Sequence, residues 1–188
     1  MLISHSHKFI TIGIPKTGTR SLRAALCTKQ QHSDGTSLNK IVDFIGLHGA
    51  KNLKQHAPIC QCKEYMQKIN CDINLYFIFT VVRNPWDRYV SYMFYNNQPL
   101  HEVIKDYPPQ SHYIFDNNLL AVDYLAEFNR LQQEIDTLCN KVNIDRVSLP
   151  HLHKSIRKNY KEYYTHNLIE LVREKEHKII ELMGYTYD

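Results

Sequence analysis

Two stretches of the sequence carry residues that could hold phosphate groups. The first, "IPKTGTRSL", covers residues 14 to 22 and places a lysine, a glycine and several hydroxyl residues directly behind an apolar run. The second, "VVRNPWDRYVSY", places Arg83 after an apolar run and Ser91 eight residues later. Backbone amides at a helix start form a cradle for an anion, and arginine pairs bidentately with phosphate. Both stretches therefore predict an anionic ligand.

The position of Lys16 limits the class of protein. A Walker A loop needs a glycine, four further residues and then Gly-Lys-Ser/Thr. Gly13 and Gly18 have that separation, but Thr19 stands where the lysine should be. A nucleoside triphosphatase is therefore disfavoured. A phosphate cradle remains, because Gly18 permits a tight turn and the amides of residues 18 to 21 point out of a helix start. Hydroxyl donors are predicted from Thr17, Thr19 and Ser21. The simpler alternative is a capped turn with a surface lysine.

Both stretches are predicted to lie between a strand and a helix. "KFITIGIP" is dense in β-branched and aromatic residues, which predicts a strand buried on both faces. The residues after Gly18 show helical spacing. "NLYFIFTVVRNP" predicts the clearest strand of the chain, and Asn84, Pro85 and Asp87 predict a helix start directly after it.

The remaining patterns complete an alternation of strands and helices. A short strand is predicted in "KIVDFIGLHG", a helix in "APICQCKEYMQKI", a helix over "AVDYLAEFNRLQQEIDTLCNKV", a strand in "IDRVSLP" and a terminal helix stopped by Gly184. Residues 96–118 are predicted to be irregular. The alternation predicts one three-layer α/β/α domain over residues 1–188 with a mainly parallel sheet. Ligands of such sheets bind beyond the carboxyl ends of the strands, where Lys16 and Arg83 lie.

Composition excludes several other classes of protein. The 188 residues are 43% hydrophobic and have a mean hydropathy of -0.45. No apolar run approaches the roughly 20 residues of a membrane-spanning helix. The first residues lack a secretory signal, and the five cysteines lack the spacing of a disulfide framework, which together predict a cytoplasmic location. The net charge of +4 is spread along the chain and does not indicate a nucleic-acid partner.

With both motifs in this order, the sequence resembles the sulfotransferase family. Members bind 3′-phosphoadenosine 5′-phosphosulfate (PAPS) with a loop for the 5′-phosphosulfate and a strand-helix unit for the 3′-phosphate. "LPHLHKSIRKNYKEYY" and "LVREKEHKIIELMGYTY" are similar to the last third of compact, carbohydrate-type members. The resemblance implies a P-loop-NTPase-like sulfotransferase fold, PAPS as the sulfate donor, the bisphosphate PAP as product and no metal. It also implies a hydroxyl acceptor, favouring a saccharide.

The resemblance also implies roles for single residues. Lys16 would be catalytic and stabilise charge on the bridging oxygen of the donor. Lys16, Thr17, Gly18, Thr19, Arg20 and Ser21 would hold the 5′ end of the donor, and Arg83 and Ser91 its 3′-phosphate. Lys154, Ser155 and Lys158 would fold over the adenosine end, and the alternative for them is a solvated basic loop. Arg88 is interpreted as a structural or surface cation.

Sulfuryl transfer to a hydroxyl needs a general base, and His56 is the predicted one. It lies between the two motifs, and the small residue that follows it matches compact family members. His48 and then Glu64 are the alternatives. Asn129 stands where relatives often carry an acid, which leaves the role of that acid open in this chain.

Three other interpretations come from the same residues. His56, Cys60, Cys62 and Cys71 could suggest zinc, but their spacing is not that of a structural zinc site. A nucleotide or small-molecule kinase would need a lysine after Gly18 and carboxylates for magnesium, which the sequence does not show. A catalytically silent PAP- or PAPS-binding module stays open.

The span from Tyr95 to Phe115 is predicted to form the wall of the acceptor cleft.

Overall fold

The computed structural model describes residues 1–27, the backbone of residues 44–45, and residues 53–150 and 157–187. The strands are β1 (Leu2–Ser4), β2 (Phe9–Ile12), β3 (Phe44–Ile45), β4 (Phe77–Val82), β5 (Phe115–Asp116), β6 (Leu119–Leu120) and β7 (Tyr124–Glu127). The α-helices are α1 (Thr19–Leu26), α2 (Ile59–Lys68), α3 (Pro85–Asn96), α4 (Leu100–Asp106), α5 (Ser111–Ile114), α6 (Leu131–Lys141), α7 (His166–Lys175) and α8 (His177–Met183). Short 3-10 turns cover Ile73–Leu75, Phe128–Arg130 and Tyr160–Tyr163.

The central sheet has the strand order β3-β1-β2-β4-β7 and is mostly parallel. β2 pairs in parallel with β4, and β4 pairs in parallel with β7, whereas β1 runs antiparallel to both of its neighbours. In this register Val82 pairs with Glu127 at the end of β4. The carboxyl ends of β2, β4 and β7 therefore meet at one edge of the sheet, which confirms the predicted mixed α/β class.

Helices cover both faces of this sheet. On one face α2 packs its buried side chains Ile59, Cys62 and Met66 against the strands. On the other face α1 and α6 pack theirs, led by Leu22 and Leu138. A third cluster joins α3, α4 and α7, so the helix that follows β4 is buried among other helices on one side.

The predicted helix over residues 121–142 is wrong in its first part. Tyr124–Glu127 forms β7 and pairs with β4, and the helix begins only at Leu131. Pairing with a buried strand overrides the helical spacing of the sequence. The predicted strand "IDRVSLP" is also wrong, because residues 144–150 are irregular. The side-chain amide of Gln132 there donates to the Val147 carbonyl and accepts from the Leu149 amide, in place of a strand.

Two further expectations need correction. Residues 96–118, predicted to be irregular, contain α4, α5 and strand β5 of a hairpin. The predicted terminal helix is two helices, because the chain turns at Glu176 between α7 and α8. Gly184 ends the second helix in the left-handed conformation, as predicted. Strand β1, at the start of the chain, was not predicted.

Across the part of the chain that the structure describes, no helix is both long enough and apolar enough to cross a membrane.

Candidate anion-binding site

The loop between β2 and α1 turns at Gly18, directly ahead of the helix. Gly18 precedes α1 with φ at 82°, and among the described residues no side chain caps this helix start. The first turn also carries no acidic residue. This backbone angle favours glycine, and a Cβ there would also press on Leu131 Cδ2, at 2.9 Å. The first amides of α1 can therefore bind an anion.

The threonine hydroxyls of the loop brace its backbone. The hydroxyls of Thr17 and Thr19 both donate to the Ile14 carbonyl, at 2.9 and 2.8 Å. Thr17 is buried, Thr19 and Ser21 are half-buried, and Arg20 is exposed. Both hydroxyl protons are therefore used in bonds within the loop.

Arg83 contacts the loop as well as its own helix. Its Nη1 donates to the Lys16 carbonyl at 2.9 Å, and Lys16 has a left-handed backbone with φ at 68°. Its Nε and Nη2 lie 2.7 and 2.6 Å from Asp87 Oδ2, and its guanidinium carbon lies 4.2 Å from the centre of the Phe128 ring. Burial lowers the pKa of Arg83, and the Asp87 carboxylate opposes that effect. Asp87 and Phe128 thus fix the direction of the guanidinium.

Arg157 is a member of this cluster that the sequence did not single out. Its Nη2 contacts Asp87 Oδ1, so one carboxylate bridges Arg83 and Arg157. The basic segment "HKSIRKNY" indicated the right part of the chain but not this residue. Lys158 is exposed and lies 3.4 Å from Glu162, away from Asp87, while Lys154 and Ser155 fall outside the described residues.

The Lys16 ammonium lies 3.8 Å from the centre of the Tyr95 ring. Burial, and after it the positive charges of Arg83, Arg20 and Arg157, together lower the pKa of Lys16 to about 8. Asp87, Ser91 and Tyr95 follow one another at intervals of four residues along α3 and so share one face. On this face Asp87 contacts the arginines and Tyr95 contacts Lys16, and Ser91 lies between Asp87 and Tyr95 along the helix.

His56 lies at the base of the loop, just ahead of α2. Its Nδ1 is 2.6 Å from the carbonyl oxygen of Gly13, which can only accept, so Nδ1 carries the proton. In the neutral ring Nε2 is then the basic nitrogen. A Cβ on Gly13 would lie 2.8 Å from the carbonyl oxygen of Gln55. Glycine at this position therefore allows the backbone of Gln55 to pass close to the loop. Glu64 is exposed on α2, and His48 lies outside the described residues.

The residues considered for zinc point in different directions. Cys60 is exposed, whereas Cys62 is buried and its burial raises the pKa of the thiol to about 12. Over residues 1–27, 53–150 and 157–187 no group of three or more histidine, cysteine or acidic side chains could hold a metal ion.

Two other positions raised by the sequence have clear surroundings. Arg88 is fully buried and lies 2.8 Å from Glu176, so it is a structural cation. Asn129 lies in the turn after β7. The acids beside it, Glu127 and Glu134, lie 3.0 and 3.2 Å from Arg130. The carboxylates of Glu127 and Glu134 are therefore both paired with the Arg130 guanidinium.

One comparison with known proteins finds a family whose model covers both motifs. A family model described as "Sulfotransferase family" matches residues 1–107, which include the loop of Lys16 and the strand-helix unit of Arg83 and Ser91. No curated protein and no solved structure matches the chain. The matched residues are more than half of the 188, and the chain therefore belongs to the sulfotransferase family.

Proposed function

We propose that residues 1–188 form one enzyme domain that transfers a sulfuryl group from PAPS to a hydroxyl of a saccharide. The observation that carries this proposal is that Arg83, a residue of the second motif, contacts the first motif at the Lys16 carbonyl. It brings a helix start suited to an anion next to a group of cations that includes Lys16, Arg83 and Arg157. Asp87 is the carboxylate that contacts two of them, which leaves positive charge for a ligand with several negative groups.

The two ends of the donor suit different parts of the site. The amides at the start of α1, with Arg20 and Ser21, would hold the 5′-phosphate, because they combine backbone donors with the positive end of a helix dipole. Arg83 and Ser91 would hold the 3′-phosphate, and we add Arg157 because it shares the Asp87 carboxylate with Arg83. Proposed contacts from Lys154, Ser155 and Lys158 to the adenosine end stay predictions.

The chemistry would be divided between Lys16 and His56. PAPS supplies a sulfuryl group linked to a phosphate oxygen that can leave. The Lys16 ammonium would stabilise the negative charge that this oxygen gains as its bond to sulfur breaks. His56 Nε2 would take the proton from the acceptor hydroxyl as its oxygen bonds to sulfur. The bond from Nδ1 to the Gly13 carbonyl supports this role, because it keeps Nε2 basic.

Exposed aromatic side chains support a ring-shaped acceptor. Phe94 and Tyr95 are 43% and 61% exposed at the end of α3, and Tyr95 lies against the Lys16 ammonium. Sugar rings pack well on such faces, and the family resemblance favours a saccharide. The cytoplasmic location stays a prediction from the sequence.

The proposal can be tested in two steps. In a thermal-shift panel, adenosine 3′,5′-bisphosphate should raise the melting temperature, whereas ATP with magnesium should not, because ATP lacks a 3′-phosphate. The opposite ranking would favour a kinase. Transfer of labelled sulfate from PAPS to a panel of saccharides then separates an enzyme from a silent binding module. Binding of the bisphosphate without transfer to any acceptor would contradict the enzymatic part of the proposal.

A further inference from the structure

Gln110 connects the end of β4 with the C-terminal helices. It is fully buried and directly precedes α5. Its side-chain Oε1 accepts from the Arg83 amide at 3.0 Å, and its Nε2 donates to the Arg83 carbonyl at 2.9 Å. One side-chain amide therefore satisfies both backbone polar groups of Arg83.

These two bonds lie where the sheet stops. The last pair of β4 with β7 is Val82 with Glu127, and α3 begins only at Pro85. Arg83 thus lies between a strand and a helix, where its backbone has no regular partner. The side-chain amide of Gln110 makes the hydrogen bonds that a neighbouring strand would otherwise make. It thereby fixes the backbone of Arg83, from which the guanidinium extends.

Gln110 is itself held from the other side of the molecule. Glu176 Oε2 accepts from the backbone N–H of Gln110 at 3.0 Å, and Glu176 Oε1 accepts from Arg88 Nη1 at 2.8 Å. The same Arg88 side chain donates from Nε to the Pro15 carbonyl at 3.2 Å, directly before Lys16. A buried network of three side chains therefore reaches the backbone of both phosphate-binding motifs.

We propose that Gln110 is a positioning residue for the 3′-phosphate. It does not contact the ligand. It sets the backbone of Arg83, while Asp87 and Phe128 set the direction of the guanidinium. This inference rests on the proposed function, and it extends the site to a residue outside the range that the family model matches.

The test compares two ligands that differ by one phosphate group. Gln110→Met keeps the size of the side chain and removes its hydrogen bonds. Calorimetry on the purified full chain should show that affinity for adenosine 3′,5′-bisphosphate falls about tenfold, roughly the worth of one hydrogen bond. Affinity for adenosine 5′-phosphate should stay within about twofold, because the loop keeps its own braces from Thr17 and Thr19. An equal loss for both ligands, or no loss for either, would overturn the positioning role.

A matched control is Gln133→Met, the same change at an exposed position on α6, and it should leave both affinities unchanged. If Gln110→Met does not fold, Gln110→Asn carries the test, because its amide is one methylene too short to bond both groups. The wild-type chain separates the two proposals. A wild type without preference for the bisphosphate contradicts the proposed function and this inference together. A wild-type preference that Gln110→Met leaves intact contradicts this inference alone.

Discussion

The guanidinium of Arg83 donates to the backbone carbonyl of Lys16 at 2.9 Å, across 67 positions of the chain. Residues from the two motifs are therefore in direct contact. A change at Arg83 should alter both the affinity for a phosphate and the conformation of the loop that carries Lys16. The other cations of the site can be tested against this relationship one at a time.

Arg83→Ala should weaken binding of adenosine 3′,5′-bisphosphate by about 1.5–3 kcal/mol, the range for a hydrogen bond to a charged group. Calorimetry measures this directly. Arg173→Ala serves as the control, because Arg173 is exposed and pairs with Glu170 on α7. Equal affinity in the wild type and in Arg83→Ala would show that Arg83 does not bind this ligand.

Arg157→Ala should weaken the same ligand by about tenfold, because Arg157 shares the Asp87 carboxylate with Arg83. Lys158→Ala is the neighbouring change and should weaken binding less, since Lys158 is exposed, lies 3.4 Å from Glu162 and is predicted to contact only the adenosine end. The reverse ranking of the two variants would move the ligand contact to Lys158, as the sequence alone suggested.

His56→Ala should lower turnover by about 10²–10⁴-fold, the usual contribution of a positioned general base. Its affinity for the bisphosphate should stay near that of the wild type, because His56 acts on the acceptor and not on the donor. His101→Ala is the control, because His101 is exposed on α4. If His56→Ala keeps full turnover, the base lies elsewhere, and His48 and then Glu64 should be tested in the same assay.

Binding of the bisphosphate should weaken as the pH rises through about 8, the lowered pKa of Lys16. The sign follows from the charge, because an anion favours the protonated ammonium and raises its pKa in the complex. Affinity is therefore highest below the pKa of the free site and falls above it, by up to about tenfold per pH unit. Lys16→Arg should remove this fall, since a guanidinium stays charged. A fall of the same size in Lys16→Arg would assign it to another group.

Glu176→Ala should lower the free energy of unfolding by about 3–5 kcal/mol, because it leaves the buried Arg88 charge without a partner. Urea denaturation measures the change. Glu170→Ala breaks an exposed pair on α7 and should cost less than about 1 kcal/mol. The double variant Arg88→Met with Glu176→Leu should recover much of the loss. A cost at Glu176 no larger than at Glu170 would contradict a buried, charged pair.

Local sequence patterns predicted the elements that carry the two motifs. β2, α1, β4 and α3 are short-range features, marked by apolar runs, by Gly18 and by the cap and proline at Asn84 and Pro85. The loop of Lys16 and the end of β4 could therefore be located from the sequence.

Contacts that depend on the tertiary fold could not be predicted in this way. Tyr124–Glu127 has helical spacing, yet it is a strand because β4 offers a free edge. Arg157 meets Asp87 across 70 positions, and Gln110 meets Arg83 across 27. No spacing rule connects residues that far apart. The sequence indicated most of the side chains that could bind an anion, but it did not single out Arg157 or the role of Gln110.

The buried pair of Arg88 and Glu176 sets a minimum size for any engineered fragment of this chain. The range matched by the family model, residues 1–107, includes Arg88 but ends before Glu176. A chain cut after residue 107 would keep both motifs. Arg88, which lies on α3 and donates to the Pro15 carbonyl ahead of Lys16, would then lack its carboxylate partner. Chimeras that exchange acceptor-binding segments should therefore keep Glu176 and the loop of Gln110 from the same parent as α3, so that the carboxylate and the guanidinium are inherited as one unit.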